Sequence, residues 1–151
     1  MSIDRTAILN VVASQLKERI QASLDELQAL QAGNADNSKS TAGDKHDTER
    51  AMVHMEMENL SKRLDHERRL LHEVEQLTKQ PTSAEKVSSG SIITTDRGVF
   101  LIGAAFGRLQ VKGQFITGIS IQSPLGKQCI DKKTGDSIEV NGNIFTLLSI
   151  A

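Results

Sequence analysis

A polar turn constrains this chain more than any other feature. It is the run Ser38-Lys-Ser-Thr-Ala-Gly-Asp-Lys-His-Asp-Thr-Glu-Arg50, set between two long stretches of helical periodicity. Before it, Leu9, Val12, Leu16, Ile20, Leu24, Leu27 and Leu30 recur at steps of three or four, forming one stripe along a helix. After it, Val53, Met57, Leu60, Leu64, Glu67, Leu71, Val74 and Leu77 alternate steps of four and three, the pattern of a coiled-coil seam. Two helices of similar length joined by a polar turn predict an antiparallel hairpin. Acidic residues gather at its tip: Asp36, then Asp44, Asp47 and Glu49.

The first helix is expected from about Ile3 to Ala32, capped by Ser2 or Asp4 and ended by Gly33-Asn34. The second is expected from Asp44 to Lys79, which at 1.5 Å per residue gives an arm about 50 Å long. Glu67 breaks the apolar seam and calls for a cation from the first helix, Lys17 or Arg19. Gln80-Pro81 stops the second helix.

Composition separates the rest of the chain from the arm. Residues 1–80 carry 11 basic and 14 acidic side chains, whereas residues 81–151 carry 7 and 5. All four Phe and nine of the eleven Gly also fall after residue 81, so the second part has strand-and-turn character. The expected organisation is a helical hairpin over 1–80 with its acidic tip at 36–49, a linker over 81–86, and a body over 87–151.

Within the body, Gly90–Gly98 is expected to hold a strand and a turn, and further strands are expected at Val99–Phe106, Gln114–Ile121, Ser137–Val140 and Asn143–Ile150. Ser123-Pro124 opens a short helix over Leu125–Ile130, with Ser as N-cap and Pro in the first turn. Asn141-Gly142 marks a two-residue hairpin turn. The fold class is α+β: a helical hairpin, then a small antiparallel sheet with one helix on it.

A net charge of −1 leaves no electrostatic footprint for nucleic acid. No apolar run approaches a membrane span, and the N-terminus lacks a signal-peptide pattern. A single cysteine forms no internal disulfide, which points to a cytoplasmic setting. Cys129 sits beside Ile130 and near Leu125, and reads as a buried structural thiol.

The run from Ile119 to Val140 resembles the C-terminal signature of bacterial Gre-type transcription elongation factors. In that family a serine-proline opens a short helix, Gly-Lys follows, and a Lys-x-Gly-Asp turn leads into the last hairpin. Here those positions are Ser123, Pro124, Gly126, Lys127, Lys133, Gly135 and Asp136. The tip is similar too: Gly43-Asp44-Lys45-His46-Asp47 places Asp44 and Asp47 on the family's two acidic positions.

The resemblance implies an N-terminal antiparallel coiled coil followed by an FKBP-like domain. It implies RNA polymerase as partner, with nascent RNA met only indirectly and no membrane. The body would bind polymerase, with Ser123, Pro124, Gly126 and Lys127 as partner-binding positions, and the coiled coil would enter the secondary channel. There Asp44 and Asp47 would complete a shared Mg²⁺ site in trans and promote cleavage of backtracked RNA. The protein would need no cofactor of its own and would be an accessory factor, not an enzyme. The second acid is Asp where the family commonly has Glu, and Thr48-Glu49-Arg50-Ala51 replaces the usual Asn-Ala-Glu-Tyr. Two alternatives stand beside this reading: a channel-binding inhibitor without cleavage, and a coiled-coil interaction protein unrelated to catalysis. A capping role for Asp44, at the start of a helix with an acid three residues on, is compatible with any of them.

Overall fold

A computed structural model describes the backbone of residues 3–37 and 44–151, with side chains over 3–33 and 47–151. The expected turn at 38–43 lies outside the described residues. Two long helices, α1 (Arg5–Asn37) and α2 (Asp44–Lys79), precede a six-stranded sheet with one short helix, an α+β layout. Asp4 caps α1, its Oδ1 accepting the Ala7 amide at 3.1 Å. The helix runs through Gly33 to Asn37, so the expected stop at Gly33-Asn34 is corrected. Among the described residues nothing lies within 4 Å of where a Gly33 side chain would be.

The chain divides into two compact units, Met1–Ser14 with Leu70–Ala151, and Gln15–Arg69. In the second unit Leu16, Ser23, Leu60, Leu64 and Glu67 are buried. Its two helical segments meet through polar pairs. The Ser23 hydroxyl donates to Glu67 Oε1 at 3.1 Å, and Arg63 lies 3.3 Å from Glu26.

The first unit holds the sheet, built from β1 (Ile92–Thr95), β2 (Gly98–Ile102), β3 (Gly107–Val111), β4 (Gln114–Ile119), β5 (Ser137–Val140) and β6 (Asn143–Ile150) in the order β3-β4-β2-β1-β6-β5. The sheet is mainly antiparallel, as expected, but one pairing, β2 with β4, is parallel and makes it mixed. After β2 the chain turns at Gly103, whose amide donates to Ile119 O at 2.8 Å, and travels past one strand position to form β3. The Lys112-Gly113 turn, with φ of 51° and 82°, then folds β4 back into the gap beside β2. A strand returning by hairpin from β3 necessarily runs in the direction of β2. Sequence reading merges β2 with the residues after it and misses β3.

One sheet face carries the core of Val87, Ile93, Ile102, Ile138 and Leu147, completed by Cys129 of helix α3 (Pro124–Cys129). On the other face Ile92, Leu101, Leu109 and Ile116 are buried, as are Ile8, Leu9, Val12, Leu70, Val74 and Leu77 of the helix turns in the same unit. Arg5 ties those turns down: its Nε donates to Gly90 O at 2.7 Å and its Nη2 to Leu77 O at 2.5 Å. The Leu77 carbonyl lies in the last turn of α2, where helical acceptors lack intrahelical donors. Burial lowers the Arg5 pKa from its ordinary value.

Candidate functional site

The acidic tip is described only in part. Asp44 is the first residue of α2, and its side chain lies outside the described residues. Asp47 and Glu49 are exposed in the first turns of the same helix. Among the described residues no three His, Cys, Asp or Glu side chains come together as a metal site. Mg²⁺ demands six oxygen ligands in octahedral geometry and commonly takes one or two carboxylates with the rest from water or phosphate.

The second candidate region is the loop into α3. Ser123 adopts an extended conformation (φ −67°, ψ 157°); its Oγ accepts the Gly126 amide at 3.0 Å and donates to Ser120 O at 2.7 Å. Pro124 occupies the first turn, where no amide donor is needed. Gly126 is buried, and a Cβ there would collide with the Ser120 carbonyl and press on Ser123 Oγ. Only glycine lets the helix lie this close to the preceding loop. Of the four expected partner-binding residues, Ser123 and Gly126 build the helix start, while Pro124 and Lys127 are exposed. Pro124 and Lys127 line a cleft of about 260 Å³ with Gln128, Glu139, Val140 and Asn141, between α3 and β5.

The Lys133–Asp136 turn is similarly constructive. Asp136 Oδ2 accepts the Lys133 amide at 2.8 Å, and Gly135 sits at φ 93°. The Gly135 amide donates to Leu147 O at 2.8 Å while the Leu147 amide donates to Asp136 O at 2.9 Å, fastening the turn to β6. The signature residues thus encode a helix cap, a close approach and a pinned turn.

Cys129 is fully buried, and desolvation pushes its thiol up to about 11, which removes it as a nucleophile near neutral pH. Glu67 is 7% exposed, and its partners differ from the expected cations. Lys17 and Arg19 are exposed, and the partners are Ser23 from α1 and Arg63 Nε of its own helix at 3.9 Å. Ser23 falls on the α1 stripe between Ile20 and Leu27, a spacing from which it was readable. The Arg5 clamp carried no comparable signal.

No family model matches the sequence, and no curated protein does. Among solved structures, GreA factor homolog 1 (Gfh1) of Thermus thermophilus is similar over 92% of this chain and 94% of its own, at a TM-score of 0.35 and 16% identity. Among the described residues no helix is long and apolar enough to cross a membrane.

Proposed function

We propose that this chain is a Gre-like factor that binds RNA polymerase through its sheet-bearing body and presents the acidic end of a two-helix arm to the polymerase active centre. The observation that carries the reading is the run Ser123–Asp136. It resembles the family signature in order and spacing, and each of its turn and cap residues has a structural job that the spacing requires. The order of elements, long helices and then a sheet with one helix, agrees with it.

The arm is read as an antiparallel hairpin. Ser23 pairs with Glu67 and Glu26 with Arg63, so three steps forward on α1 correspond to four steps back on α2. Asp44 and Asp47 would share a Mg²⁺ ion held chiefly by the polymerase, and the body would fold as an FKBP-like domain.

Size-exclusion chromatography with core polymerase tests the binding. Co-migration is expected at micromolar concentrations, and absence of any shift at tens of micromolar overturns the reading. The same complex, assembled on backtracked RNA, distinguishes the second reading. Asp47 reaches one methylene less far than Glu, and binding without 3′ shortening of the RNA makes the protein a channel-occupying inhibitor.

A further inference from the structure

One outer strand of the sheet, β3, pairs among the described residues on one side only, with β4. Its inward-facing residues Leu109 and Val111 are buried, so the strand is firmly seated. On its other face Arg108 lies over the ring of Phe115, with the guanidinium carbon 3.9 Å from the ring centroid. Phe115 is 51% exposed, a large apolar surface left open in a protein with four aromatic residues. Phe100 stands on the same face one strand further in, by the pairings Phe100 with Thr117 and Arg108 with Thr117. From Arg97 to Ile130 the chain carries four basic residues and no acidic one. Of these, Arg108 lies on β3 and Lys112 just past its end, where Asp4 is the acid that lines the same cleft as Lys112.

We propose that the open edge of β3, flanked by Arg108 and Phe115, receives an extended acidic segment of a partner protein by strand addition. An exposed strand edge offers main-chain donors and acceptors for another strand, and side chains beside it select what binds. Arg108, held by the ring beneath it, keeps its N–H fork for a carboxylate on the incoming strand. The exposed remainder of Phe115 gives an alternating apolar side chain something to cover.

Single-stranded nucleic acid fits less well. Base stacking needs open ring faces, but Arg108 covers one face of Phe115, and Phe145 is approached by Arg97 at 5.7 Å and edge-on by Phe100 at 6.0 Å. Phosphate-driven binding also rests on many cationic contacts, and this face offers two arginines on a chain of net charge −1.

The inference is independent of polymerase binding, and its test uses the isolated full-length chain. Fluorescence anisotropy would follow a labelled, end-capped octapeptide of alternating Glu and Val, with a labelled oligouridylate of similar charge as the second probe. The peptide is expected to saturate below about 1 mM. Arg108→Gln should weaken it about tenfold, as loss of a charge-assisted hydrogen bond does. Phe115→Ala should weaken it as well, and the amides of 107–111 should gain hydrogen-exchange protection on binding. Both positions are exposed, and the melting temperature of each variant checks that the fold is kept. Three outcomes overturn the proposal: no peptide binding by 1 mM, binding indifferent to both substitutions, or tighter binding of the oligouridylate. Self-association of Arg108→Gln without peptide binding by the native chain would make the basic edge a guard against self-pairing, which overturns it too.

Discussion

At the scale of single residues, burial decides what the titratable groups can do. The Cys129 thiol lies in the sheet core with Val87, Ile93 and Ile102 around it, and desolvation of the thiolate raises its pKa to about 11. In the unfolded chain the thiol ionises near its ordinary value of 9.0, so between about pH 9 and 11 the folded state holds a proton that the unfolded state has lost. Stability from this group is whole below pH 9 and drains away as pH rises through 11. Native protein at pH 8 should resist iodoacetamide and react once denaturant exposes the core; rapid native alkylation would contradict the burial. The core position of Cys129 was legible from its apolar neighbours. The partners of Glu67 were not, because the sequence marked a need for compensation, and a serine hydroxyl of α1 with Arg63 of its own helix filled it where a cation from α1 was expected.

At the scale of elements, what the sequence made readable was what local chemistry decides. The stripes of α1 and α2, the Ser123-Pro124 start of α3 and the Asn141-Gly142 turn, with φ of 52° and 80°, all arise from residues close in the chain. The position of β3 and the parallel pairing of β2 with β4 depend on which strand inserts beside which, a non-local choice that Lys112-Gly113 signals weakly. Ser23 and Glu67 test the pairing of the long helices. Removing the hydroxyl in Ser23→Ala takes away the hydrogen-bond donor to Glu67 Oε1, while Oε2 already has none among the described residues. A loss of about 1–3 kcal/mol in chemical denaturation is expected. Glu67→Leu, which removes the buried charge with its needs, should leave stability level or raised. If Ser23→Ala is neutral while Glu67→Leu is costly, the pair does not carry the contact between the helices.

At the scale of the whole molecule, charge is divided: residues 1–80 are net −3 and residues 81–151 net +2. The acids proposed to act in trans sit where α2 begins, and a helix N-terminus stabilises carboxylates whatever else they do. Capping and catalysis in trans must therefore be separated by experiment. Two carboxylates cannot complete the octahedral shell of Mg²⁺, so the isolated protein should show no nuclease activity and no calorimetric Mg²⁺ site at low millimolar metal. In a backtracked polymerase complex the proposed role expects RNA shortening from the 3′ end. Asp44→Asn keeps the shape and most of the capping capacity of the side chain while removing its charge. Under the proposed role this variant and Asp47→Asn lose cleavage by roughly a hundredfold, the scale of a lost electrostatic contact at a reacting centre. Binding to polymerase and thermal stability should stay close to the parent, with any capping loss about 1 kcal/mol or less. If cleavage survives both substitutions, the acids serve only the helix, and activity at the polymerase centre must come from another part of the arm.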